Sequence, residues 1–321
     1  MEERLKTMRK ALIASFALAA VAALAVATTA SSAGSSAAAI PGCAKGSLNL
    51  LKEGTLTVGA DNPAFPPWFG RDEKKPWKVS NPYSGKGYES AVVYAIASQL
   101  GFTKAQVVWT VVPFNNSYKP GKKPFDFYIT QVSYTPERAQ AVDFSRGYYF
   151  VNQSVVARKG TPIAKAKTIA ALRPYKLGAQ VGTTSYTYIT RHIKPSSSPR
   201  VYDTNDAAIQ ALKNGQIDGI VVDLPTAFFV VAVQLDDGVI VGKLPTKGTK
   251  ERFGLVFQKG NALRSCVDRA IGNLWANGTI KRLQTLYLAS LPGADLRDRR
   301  HEGYRPHPHA PACPTGEVAR R

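Results

Sequence analysis

Two stretches in different halves of the chain share one outline. Residues 121–129 run from glycine through Asp126 into an apolar strand, and residues 215–222 do the same through Asp218. Short apolar runs bounded by turn residues read as buried strands of a largely parallel sheet, and such strands need crossovers, usually helical. A chain that does this twice is constrained to two α/β lobes of one plan.

The remaining segments fit that plan. Residues 54–59 read as a strand ending at Asp61, after which Pro63, Pro66 and Pro67 force a loop that carries Phe65, Trp68 and Phe69. These aromatics either cover the sheet edge or line a pocket. From Tyr88, the spacing of Val92, Val93, Ile96, Ala97 and Leu100 marks one helical face, stopped at Gly101. Residues 107–112 form a strand ending at Phe114, 125–132 another, and 148–157 an extended run. In the second half 177–181 is a strand, 207–213 a helix with Ala208, Ile209 and Leu212 inward, and 217–222 a buried strand delivering Asp223. A strand at 253–257 and helices at 262–274 and 279–288 close the chain.

If the closing helices pack on the first lobe, the chain crosses between lobes twice, near 155–158 and near 252–255. Two crossings make a hinge. The expected organisation is a signal peptide at 1–39, a first lobe of 44–157 plus 253–290, a second lobe of 158–252, and a disordered polar tail at 293–321.

Between two strand-like runs lies Ser133-Tyr134-Thr135-Pro136-Glu137-Arg138. Thr135 before Pro136 and Glu137 is a helix start, with a capping hydroxyl, a first-turn proline and an early acid. Arg138 faces the positive end of that helix, where a guanidinium sits better with an anion between it and the NH groups. Gly182-Thr183-Thr184 is a second turn into a helix, adding hydroxyls. Hinged lobes bring such strand ends and helix starts face to face across a cleft. Arg138 there matches a carboxylate and Asp223 an ammonium, which suits a free amino acid. Asp61, Phe65, Trp68, Phe114, Gln131 and Ser133 would complete the surround. The bland alternatives are N-capping for Thr183, Thr184 and Asp223, and a solvated surface position for Arg138.

Arg4, Lys6, Arg9 and Lys10 precede an alanine-rich apolar run and then small residues, the order of an export signal. The mature protein is expected outside the cytoplasm, periplasmic or extracellular, with a membrane tether left open: Ile40-Pro41-Gly42-Cys43 loosely resembles a lipoprotein box. In an oxidising compartment Cys43 and Cys266 are expected to pair, pinning the N-terminus to the C-terminal helices. Cys313, His301, His307 and His309 fall in the polar tail, and no cysteine or histidine spacing indicates a metal. The net charge is +20, but the basic residues are scattered rather than interleaved with aromatics, so nucleic acid is not the expected partner.

The residues Gly87-Tyr88-Glu89, Phe125-Asp126, Ser133 to Ala139, Val142-Asp143-Phe144-Ser145, Gln180-Val181-Gly182-Thr183-Thr184, Gly215-Gln216-Ile217-Asp218 and Phe253-Gly254-Leu255 together resemble the extracellular solute-binding proteins of family 3. The resemblance runs from about Leu51 to Leu288. It implies a two-lobed periplasmic-binding-protein (type II) α/β architecture with a two-strand hinge. It also implies a monomeric polar amino acid receptor with no cofactor, working with an ABC importer permease. In such a protein Arg138 would grip the ligand α-carboxylate, Thr184 would assist, and Asp223 would take the α-ammonium, with Asp61 and Phe65 near the side chain. Three features depart from the pattern. One extra residue lies between Asp61 and Pro67, Gln131 stands where a small residue is usual, and the loop at 71–86 is long. The rival reading is an enzyme on the same scaffold, similar to cyclohexadienyl dehydratases, with Asp61 or Glu89 as its acid; a basic wall-binding protein is a third.

Overall fold

The strands sort into two sheets with separate cores. The computed structural model describes residues 40–289 apart from Arg71, so the expected signal peptide and polar tail lie outside the described residues. The first sheet takes β1 (Leu56–Ala60), β2 (Val107–Val111), β3 (Phe127–Tyr128) and β4 (Val142–Phe144) from the first half, and β12 (Val256–Gln258) from near the end, in the order β2-β1-β3-β12-β4. β1 runs parallel to β2 and β3, whereas β12 is antiparallel to its neighbours β3 and β4. The second sheet joins β6 (Gln153–Arg158), β7 (Leu177–Gln180), β8 (Arg200–Tyr202), β9 (Gly219–Asp223) and β10 (Gly238–Lys243) in the order β10-β6-β9-β7-β8.

The same physics builds both. β1 and β9 are almost wholly buried, as strands covered on both faces must be, and each ends on a half-buried acid. The helix Tyr88–Gln99 buries Tyr88, Val92, Val93 and Ile96 against the first sheet, and Leu263–Ala276 buries Val267, Ala270, Ile271 and Leu274 in the same core. Gly87 opens the first of these helices with φ near +88°, and a Cβ there would lie 2.4 Å from the backbone of Phe69. Only glycine fits. The helix Asn205–Lys213 buries Ala208, Ile209 and Leu212 in the second lobe, as its spacing indicates.

Two stretches differ from expectation. The run 125–132 contributes only Phe127–Tyr128 to the ladder, because Gln131 takes a positive φ of 44° and turns the chain out of the sheet. The run 253–257 is broken at Gly254 and Leu255 into β11 (Arg252–Phe253) and β12, which serve different sheets. β11 pairs antiparallel with β5 (Tyr149–Phe150), so the two stretches that cross between the lobes form their own short ladder. The first handover sits at Val151–Asn152, because β6 is already paired throughout with the second sheet.

Cys43 and Cys266 are disulfide-bonded with Cα atoms 5.7 Å apart, tying the segment ahead of β1 to the helix Leu263–Ala276. Trp77, in the long loop, is buried in the first lobe's core. Among the described residues no helix is long and apolar enough to cross a membrane.

Candidate functional site: a cleft between the two sheets

Each strand end delivers a polar side chain to one cleft. Asp61 follows β1, Asp223 ends β9, and Ser133 and Arg138 follow β3, while Thr183 and Thr184 follow β7. All ten ligand-site residues expected from the sequence line this cleft: Asp61, Phe65, Trp68, Phe114, Gln131, Ser133, Arg138, Thr183, Thr184 and Asp223. It encloses about 1180 Å³ of empty space, its open mouth included.

Arg138 holds the two halves together. It lies in the helix Pro136–Ala141, whose N-terminus is capped by the Thr135 hydroxyl accepting from the Arg138 N–H. Arg138 is 9% exposed, and its guanidinium donates to the carbonyl of Ser133 at 2.6 Å and to the carbonyl of Gly182 at 2.7 Å. Tyr118 supplies an aromatic face 4.5 Å below it and Phe114 another at 5.7 Å. A guanidinium has five N–H donors, so two carbonyls leave donors for an anion. Burial lowers its pKa, opposed by Tyr118, Glu251 and Asp223.

The acids are held in different ways. Asp223 stands opposite Gln153 in the β6–β9 ladder, and the Gln153 amide donates to it at 2.7 Å. Burial pushes the Asp223 carboxyl well above the usual range, helped by nearby Glu251 and opposed by Gln153 and Arg138. Asp61 accepts from the backbone N–H of Asn62 at 2.8 Å, and burial raises its pKa against that bond.

Four features here lie beyond the residues expected from the sequence. Glu251 carries no local sequence signal, yet its carboxylate accepts from Ser133 Oγ at 2.5 Å, Thr184 Oγ1 at 2.6 Å and Gln153 Nε2 at 3.0 Å. Gln153, on Asp223, and Tyr118, under Arg138, are two more. The only signal for Gln153 was a polar residue in an extended, otherwise apolar run. Beyond the expected residues the cleft continues past Ile209 and Phe229 to Asn205, Asp206 and Gln234.

The bland readings hold for part of the set. Thr183 is a cap: its hydroxyl accepts from Tyr186 N–H and donates to the Gln180 carbonyl. Thr184 has no such duty and turns to Glu251. Asp223 is the residue before the helix Leu224–Phe229, but its side chain makes no capping bond there. Of the two aromatic candidates, Phe65 stands half-buried with its ring 6.2 Å from Phe229 of the second lobe, whereas Trp68 is 2% exposed and packs edge-on against Tyr88, Tyr149 and Phe253. Glu89 is fully buried, does not line the cleft, and accepts from Gln131 N–H, the Gln131 amide and Tyr148 OH. Burial raises its pKa to about 7.

Residues 56–290 match the bacterial extracellular solute-binding proteins, family 3. The chain belongs to that family. Similar relatives include the L-cystine-binding protein TcyJ of Escherichia coli (strain K12), 28% identical over 265 residues, covering 78% of this chain and 88% of the relative. Among solved structures, an ancestral arginine-binding protein bound to arginine is 26% identical with a TM-score of 0.59, covering 73% of this chain and 98% of its own. The ancestral amino acid-binding protein AncCDT-1, a precursor of cyclohexadienyl dehydratase, is also 26% identical with a TM-score of 0.59, covering 73% of this chain and 95% of its own. This solute-binding protein is thus a two-lobed α/β protein whose structural neighbours bind amino acids.

Proposed function

We propose that the protein is an extracytoplasmic receptor that closes its two lobes on a free polar amino acid and presents it to the permease of an ABC importer. The observation that carries this reading is the pairing of Arg138, from the first lobe, with Asp223, from the second, in one cleft. A carboxylate at Arg138 and an ammonium at Asp223 would each gain a charge-assisted bond of about 1.5–3 kcal/mol. Phe65 and Phe229, from opposite lobes, would enclose the side chain. The receptor works as a monomer in this reading, with the lobes following the two sheets.

Charge favours a neutral or cationic side chain. Among the described lining residues Asp61, Asp206 and Asp223 are acids and Arg138 is the cation, so a zwitterion leaves surplus negative charge for a side-chain cation or amide. The cystine- and arginine-binding relatives are consistent with a polar, nitrogen-rich or extended ligand.

The dehydratase reading has less support. Its nominated acid Glu89 has a raised pKa, but burial explains that without a substrate, against the lowering effect of its bonds from Tyr148 and Gln131. The test is a calorimetric screen of the free amino acids, with prephenate and arogenate turnover assayed alongside. Binding without turnover supports the receptor; turnover would replace it.

A further inference from the structure

Glu251 sits where it controls two hydroxyl groups of the cleft. The segment 132–134 pairs antiparallel with 252–254, through Gly254 N–H to the Val132 carbonyl and Tyr134 N–H to the Arg252 carbonyl. That pairing lays Glu251 beside Ser133, and the turn at Gly182 brings Thr184 to it from the other lobe. Ser133 Oγ–H and Thr184 Oγ1–H both donate to the same carboxylate oxygen, Oε1, at 2.5 and 2.6 Å. The other oxygen, Oε2, accepts from Gln153 Nε2, which also donates to Asp223.

A hydroxyl has one proton, and a carboxylate only accepts. With both protons committed to Glu251, the Ser133 and Thr184 oxygens offer the cleft only lone pairs. The 3.5 Å approach of the two hydroxyl oxygens therefore carries no proton between them. A ligand carboxylate gains nothing from these hydroxyls, whereas a protonated amine finds two acceptors beside the Asp223 carboxylate.

We propose that Glu251 is a positioning residue that turns the Ser133 and Thr184 hydroxyls into acceptors and so makes the cleft demand a protonated amine. The proposal rests on the receptor reading and goes beyond it. It removes the Thr184 hydroxyl from the carboxylate side and assigns it to the amine. It also makes selectivity for the amine depend on a residue placed behind the cleft wall, on the crossing segment.

The experiment compares L-arginine and L-glutamine with their des-amino counterparts, 5-guanidinopentanoate and 5-amino-5-oxopentanoate, by calorimetry on wild type, Glu251→Ala and Glu251→Gln. Glutamine at 251 keeps a carbonyl that accepts both hydroxyl protons but loses the charge and the oxygen that accepts from Gln153 Nε2, which keeps its bond to Asp223. The expected result is at least a tenfold fall in the ratio of amino-acid to des-amino affinity in Glu251→Ala, with the ratio largely retained in Glu251→Gln. An unchanged ratio in Glu251→Ala overturns the proposal, as does an equal fall in both variants, which would mean that charge alone matters. If Glu251→Ala fails to fold, a full loss of the ratio in the folded Glu251→Gln variant overturns it as well. Wild type binding none of the free amino acids would instead overturn the receptor reading and this proposal with it.

Discussion

The guanidinium of Arg138 donates to the carbonyl of Gly182 at 2.7 Å, so the arginine of the first lobe is bonded to the turn that opens the second lobe's threonine pair. Gly182 takes a φ of +71°, and a Cβ there would lie 2.7 Å from the Tyr118 hydroxyl. Both conditions demand glycine. Gly182→Ala is expected to lower stability by about 1–3 kcal/mol in denaturant unfolding and to weaken ligand binding, because the carbonyl that Arg138 uses moves with the turn.

Glu89 makes stability depend on pH. Its pKa is raised from 4.5 to about 7, chiefly by burial. A raised acid pKa stabilises the fold fully below the unfolded value, and that contribution is lost as pH rises through about 7. The gap corresponds to up to about 3 kcal/mol. The melting temperature should therefore fall between about pH 5 and pH 8, and Glu89→Gln should remove the part of that decline that Glu89 supplies. Asp61 and Asp223, also raised, leave a residual slope of the same sign.

Ligand binding carries the opposite pH dependence. An ammonium beside Asp223 favours the charged carboxylate, whose pKa burial and Glu251 raise in the free protein. Affinity should rise with pH across that titration, with protons released on binding. Calorimetry in two buffers of different ionisation enthalpy reads the release directly.

The disulfide closes a loop of 223 residues between Cys43 and Cys266. Replacing both cysteines with alanine should cost about 2–5 kcal/mol in denaturant unfolding and leave amino acid affinity unchanged, since neither residue lines the cleft.

Much of the architecture is legible in the residues because local signals and burial agree. The strand ending at Asp223 is apolar throughout, and Thr135-Pro136-Glu137 caps its helix as the residue types require. Arg138 stood out because a cation at a helix start is electrostatically wrong without a partner. Glu251 carried no such signal: its position follows from the pairing of 252–254 with 132–134, a contact distant in sequence and set by tertiary packing. The short β3 was hidden for a related reason. Gln131 leaves the sheet at positive φ with its backbone and side chain both held by Glu89, and nothing in the apolar run marks the exit.

The most direct test of the account is calorimetry of the purified mature protein against each of the free amino acids, with Arg138→Ala and Asp223→Asn measured beside the wild type. The account predicts that at least one amino acid binds the wild type with micromolar or tighter affinity. It further predicts that each substitution weakens that affinity by about 100-fold or more, the equivalent of losing one buried charge-assisted contact, while the ligand-free circular dichroism spectrum persists. No binding by any amino acid, or binding indifferent to both substitutions, would contradict it.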